Sequence, residues 1–194
     1  NVTVKNNKTV NLGGDGTNNF KNIKVKKNAT VNFVDQGPGT VYKIKKIHLD
    51  KDNATANFAP GDYWIEELKI DKKTKIGIIG GTGTVRIFVK KSFYIDENVE
   101  VNVGNPTSNP AQQLFMYGYK DIKIKKDSAF VGFIYSKKEF KIEDDSTLIG
   151  AALAEKVEIK KDVIVTYDAV ARNFLDLGFL CPVVSGATHF VLEH

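Results

Sequence analysis

A short unit recurs along this chain, and recurrence restricts the fold more than any single motif does. In Ile122-Lys-Ile-Lys-Lys-Asp-Ser-Ala-Phe-Val-Gly-Phe133 an alternating strand leads through a polar corner into a second apolar segment. The same order returns in Ile23-Lys-Val-Lys-Lys-Asn-Ala-Thr-Val-Asn-Phe33 and in Ile47-His-Leu-Asp-Lys-Asp-Asn-Ala-Thr-Ala-Asn-Phe58. Further copies open at Val2, Leu68, Phe93, Phe140 and Val157, so successive copies lie 21, 24, 21, 25, 29, 18 and 17 residues apart. A period of this size marks a solenoid, because one such unit cannot bury its apolar face alone and must stack on its neighbours. Strand, corner, strand makes each unit one coil.

Period-2 alternation assigns the faces. Pointing inward are Val2/Val4, Ile23/Val25, Ile47/Leu49, Leu68/Ile70, Phe93/Ile95, Ile122/Ile124, Phe140/Ile142 and Val157/Ile159, with lysines outward. After the corner the inward set continues as Val10/Leu12, Val31/Phe33, Ala56/Phe58, Ile76/Ile78 and Val101/Val103. A third segment is visible as Val85–Val89, Leu114–Tyr117, Phe133–Tyr135 and Ala151–Ala154. Three parallel strands per coil predict an all-β chain, a right-handed parallel β-helix of about eight coils spanning residues 1–167. Asp35–Thr40, Ala59–Trp64 and Gly104–Pro110, rich in Gly, Pro and Asn, read as insertions, which in solenoids often gather on a binding face.

From Asp168 the pattern changes. Asp168 can cap a short helix over Ala169–Leu177, with Gly178 placed to end it. Val170, Phe174 and Leu177 on one stripe suit a lid over the last coil, so 168–191 reads as cap and tail. The chain opens mid-pattern at Asn1-Val-Thr-Val, as a mature or trimmed fragment would. Leu192-Glu-His194 reads as a purification-tag remnant.

Net charge is +5, and the basic residues are nearly all lysine; only Arg86 and Arg172 are arginine. Arginine's bidentate fork is the usual reader of phosphate and bases, so this composition argues against a nucleic-acid partner. No apolar run reaches the 18 or so residues of a membrane span. Cys181 is alone, which rules out an internal disulfide and leaves the compartment open.

At Pro60-Gly-Asp-Tyr-Trp64, Gly83-Thr-Val-Arg-Ile-Phe-Val89, Leu114-Phe-Met-Tyr117, Ala129-Phe-Val-Gly-Phe-Ile-Tyr135 and Leu148-Ile-Gly-Ala-Ala-Leu-Ala154 the chain resembles a known pattern. It is similar to the β-helical domain of the mannose-sensitive haemagglutinin pilus accessory agglutinins and related pilus-assembly and surface proteins. A fainter likeness is to the ice-binding-type β-solenoids. The first resemblance covers about residues 59–168 and implies an extracellular or cell-surface location, within a larger surface or pilus protein. It brings no catalytic residues, cofactor or metal.

Parallel β-helices that cleave polysaccharides need carboxylates converging on one face. Asp50, Asp71 and Asp96 hold the same repeat position in consecutive coils, about 4.8 Å apart if stacked, where three carboxylates could hold Ca²⁺. The adjoining Lys51 and Lys72 favour a solvated corner of mixed charge instead. Thr9/Thr30/Thr55 and Asn11/Asn32/Asn57 form an outward ladder that Lys75 and Glu100 interrupt, which speaks against an ice-binding surface. Tyr63, Trp64 and Tyr119 sit at loop margins and could stack on a glycan or a host or surface ligand. The reading is a non-enzymatic module of a bacterial surface or pilus-associated protein, a rigid scaffold, stalk or adhesive element. The opposing reading is a β-helix that binds or cleaves polysaccharide.

Overall fold

Eight polar corners set the path of the chain. The third residue after each strand of the repeat (Asn7, Asn28, Asp52, Lys73, Asn98, Asp127, Asp145 and Asp162) has φ between 52° and 60°. Asn and Asp tolerate this left-handed conformation because their short side chains bond locally to the backbone, and they fill every corner except Lys73. Small residues then turn inward under the bend, among them Ala29, Ala54, Thr74, Ser128 and Ser146, all buried.

This computed structural model describes residues 1–14, 16–37, 39–80, 83–105 and 110–169. Along the chain run β1 (Val2–Val4), β2 (Thr9–Leu12), β3 (Asn19–Val25), β4 (Thr30–Phe33), β5 (Val41–Leu49), β6 (Thr55–Phe58), β7 (Gly61–Ile70) and β8 (Lys75–Ile78). Then come β9 (Val85–Val89), β10 (Phe93–Ile95), β11 (Glu100–Val101), β12 (Leu114–Gly118), β13 (Ile122–Ile124), β14 (Ala129–Ile142), β15 (Thr147–Ile159) and β16 (Ile164–Tyr167). Every pairing is parallel and joins one coil to the next, giving a parallel β-solenoid of about eight turns.

The first face carries the repeat strands in the register that the alternation predicts. Val2 pairs with Ile23, Ile23 with Ile47, Ile47 with Leu68, and Ile70 with Ile95. Phe93, Ile122, Phe140 and Val157 continue the same stack. The second face stacks β2, β4, β6, β8 and β11 on the opening residues of β14 and β15, and then β16. Its Asn11–Asn32–Asn57 ladder is joined by side-chain hydrogen bonds of 2.9 Å, Asn32 Nδ2 donating to Asn11 Oδ1 and Asn57 Nδ2 to Asn32 Oδ1. Gly77 ends the ladder; a Cβ there would lie 2.4 Å from the Asn57 amide oxygen.

The third face exists in more coils than the sequence discloses. It is present from Asn19, where it runs unbroken into the first-face strand in β3, β5 and β7. Gly61–Trp64, expected as an inserted loop, is therefore strand. Gly61 (φ 147°), Gly132 (152°) and Gly150 (133°) turn the chain onto this face.

Inside the early coils sits a block of rings. Phe33 stacks on Phe58 at 4.9 Å, Tyr42 on Tyr63 at 4.9 Å, and Tyr63 meets Phe58 edge-on at 4.8 Å. Two inward expectations fail. Asn102 adopts φ 56°, which breaks the alternation after β11: its side chain turns in to donate to the Pro110 and Val131 carbonyls, and Val103 is thrown outward. Ile159 is half exposed, because among the described residues its strand has a neighbour only at Ile142. The expected capping helix, Ala169–Leu177, lies outside the described residues except for its first residue.

Candidate functional site

On the first face one outward column runs Lys24, His48, Lys69 and then Tyr94, Lys123, Lys141, Glu158. Most of the carboxylates that meet its lysines stand at the corner two residues on. Asp50, Asp71 and Asp96 do fall in consecutive coils, since Leu49, Ile70 and Ile95, the residues before them, are paired in register. They are not gathered for a cation. Lys24 reaches Asp50 at 3.5 Å, Lys69 reaches Asp71 at 3.1 Å, and Lys125 holds Asp96 at 2.9 Å. His48, Asp50 and Asp71 do bring potential ligand atoms within 4.8 Å of one another. Yet the Lys69 ammonium lies 3.3 Å from the same His48 nitrogen that contacts Asp71 at 2.8 Å. Ca²⁺ needs six to eight oxygens. A donor set of one imidazole and two carboxylates, crowded by lysines, does not fit it.

The pairing continues up the stack, with Lys123 diagonally on Glu143 at 2.6 Å and Lys141 on Glu158, its partner in register, at 2.9 Å. The ammonium groups of Lys160, chiefly, and of Lys141 both donate to Glu158 and hold its carboxyl down at about 2. Folding thus gains from Glu158 above the unfolded value of about 4.5, and that gain is lost as the pH falls toward 2. Carboxyl NMR should show Glu158 still ionised at pH 3.5, and Glu158→Gln should flatten the acid limb of the melting profile. A Glu158 that titrates near 4.5 would mean that the two lysines do not engage it.

The third face is different in kind. Its outward column runs Lys43, Trp64, Phe88, Tyr117, Tyr135 in register. Trp64 stacks on Phe88 at 4.3 Å and 12°, and Tyr117 on Tyr135 at 4.8 Å. Tyr119 meets Tyr117 edge-on at 4.6 Å. Beside this column, Phe115 and Phe133 are buried outside the solenoid core, packed with Tyr117, Tyr135 and Ala151. Burial first, then the neighbouring phenols of Tyr135 and Tyr119, pushes the Tyr117 phenol up.

Trp64 and Tyr119 remain 43% and 39% exposed and border one groove of about 560 Å³. Phe20, Ile44 and Ile65 lie beneath it with their side chains turned to the core, so its apolar surface comes from Trp64, Phe88 and Tyr119. Asn19, Glu66 and the lysines 21, 43, 45 and 90 supply the polar lining. Of the three aromatics singled out from the sequence, the structure unites Trp64 and Tyr119. Tyr63 is a correction: it is fully buried, stacked on Tyr42, and its hydroxyl donates to the Ala59 carbonyl at 2.8 Å. Adjacent strand residues face opposite ways, so Tyr63 and Trp64 cannot both be outward. The sequence reading missed Phe88 and the groove lysines; the coil register was the signal that could have found them.

A family model described as Domain of unknown function (DUF7305) matches residues 3–174. The chain belongs to this DUF7305 family. No curated protein and no solved structure matches it. For DUF7305 the family description supplies no activity, so any function must be argued from the two faces above.

Proposed function

We propose that this chain is a non-enzymatic β-helix module of a bacterial cell-surface or pilus-associated protein, acting as a stiff scaffold that carries an adhesive face. The observation behind this reading is the unbroken register of the first face, where outward carboxylates are braced by lysines of their own or neighbouring coils. Seven steps of about 4.8 Å make a rod of roughly 34 Å held by backbone bonds along its whole length. Carboxylates spent in ion pairs are poorly placed to act as the acid and base of glycoside cleavage. The order of motifs that resembles the pilus accessory agglutinins supports the surface location and attachment to other domains of a larger protein. The hand of the coil is taken as right, which nearly all parallel crossovers adopt. Among the described residues no helix is long and apolar enough to cross a membrane.

Antibodies against the purified domain should label unpermeabilised cells of the source organism. Staining confined to permeabilised cells would remove the surface assignment. The domain should release no reducing ends from pectin or alginate; product formation abolished by Asp71→Asn would put the polysaccharide-cleaving reading in its place.

A further inference from the structure

The groove on the third face differs from the rest of the surface in how its charges are disposed. On the first face, lysines such as Lys69, Lys123, Lys125 and Lys141 each meet a carboxylate. Lys21, Lys43, Lys45 and Lys90 are exposed, line one groove, and have no ion-pair partner among the described residues. Glu66, the acidic residue of the lining, already pairs with Lys91 at 3.5 Å. Like charges held around the rings of Trp64 and Tyr119 repel one another and favour an anion between them. Beside them Trp64, supported from one side by Phe88, offers an exposed indole.

We propose that this groove binds a linear anionic polysaccharide of the uronate class, with Trp64 and Tyr119 packing on sugar rings and the four lysines meeting the carboxylates. The proposal rests on the adhesive-scaffold reading and names its ligand. An exposed aromatic gives the apolar face of a sugar a platform, while Asn19 and Glu66 supply groups for its hydroxyls. The groove crosses five consecutive coils, from Asn19 to Tyr119, a run of about 19 Å at 4.8 Å per strand, so it suits a stretch of chain rather than one sugar. Single-stranded nucleic acid is the competing polyanion. It needs a row of free ring faces for successive bases, whereas Phe88 is covered by Trp64 and Tyr117 by Tyr135, which leaves exposed rings only at Trp64 and Tyr119 within the groove. The groove cations are lysines only; Arg86 of the same face is paired with Asp62.

Trp64 is the sole tryptophan of the chain, so its fluorescence reports the groove directly. The chain is titrated with polygalacturonate, alginate and hyaluronan, with neutral dextran and a thymidine oligonucleotide as comparisons. At least one uronate polymer should shift the emission, with binding that weakens as salt is raised, and dextran should not. By affinity electrophoresis, Trp64→Ala and the double change Lys43→Gln/Lys45→Gln should each weaken that binding about tenfold. Trp64→Phe, which keeps the stack on Phe88, should retain most of it and guards against a folding artefact. Silence from all three uronates, or binding indifferent to both sets of changes, overturns the proposal. Tighter binding of the oligonucleotide than of any uronate overturns it in favour of nucleic acid. Surface-labelled cells combined with a silent groove would remove this ligand and leave the scaffold reading standing.

Discussion

Gly150→Ala is expected to lower the melting temperature by about 10 °C, from a loss on the order of 4 kcal/mol. At Gly150 the backbone has φ 133°, and a Cβ would lie 2.0 Å from the carbonyl oxygen of Gly132 in the coil beneath. Two effects add. A side chain at this φ is itself strained by roughly 1–3 kcal/mol. The collision is with backbone, which no rotamer change can relieve, so the coils must part locally. Gly14→Ala, with nothing within 4 Å of its Cβ, is the control and should change stability by less than about 0.5 kcal/mol. Gly80 (φ 74°), also with nothing within 4 Å, isolates the strain alone. Should Gly150→Ala melt together with Gly14→Ala, the close stacking of β14 on β15 at this corner would be wrong.

Neighbouring substitutions on β13 should differ by most of the stability of a buried side chain. Ile124 is fully buried between Ile95 and Ile142, and Ile124→Ala should cost roughly 2–5 kcal/mol as lost transfer energy plus a cavity. Lys123 points outward to Glu143 at 2.6 Å, but both side chains stay more than a quarter exposed. Lys123→Ala should therefore cost no more than about 1 kcal/mol. The same contrast is expected between Ile142 and Lys141. Equal denaturant midpoints for Ile124→Ala and Lys123→Ala would sink the inward–outward assignment of the whole first face.

These contrasts also show why parts of the molecule were legible in the sequence. Each copy of the repeat begins where the structure stacks it, because alternation of Ile or Val with Lys reports side-chain direction one residue at a time. The corners were legible for the same local reason: Asn or Asp sits where φ must be positive. The third face of the early coils was hidden, since β5 and β7 carry it into the first face without a turn residue between. Tyr63 was misplaced because a Tyr-Trp pair shows no alternation by itself; only its register with Tyr42 turns it inward. Val103 followed a correct pattern one residue too far, past an Asn102 that bends the chain. Trp64 and Tyr119 could be suspected singly, but their shared groove depends on an insertion of known length in each intervening coil. Lysines so common elsewhere gave no hint that four of them border one groove.

The stacking of successive coils has a consequence for how the chain is made. Partners on the first face are 17 to 29 residues apart, and no strand waits for a distant one. That is about a tenth of the chain length, a contact order more usual in helical bundles than in all-β proteins, which as a class fold slowly. A chain emerging N-terminus first can lay each coil on the one before it as soon as some 30 residues are free. Assembly then proceeds as growth from a finished end, and the unfinished portion at any moment is little more than a single coil.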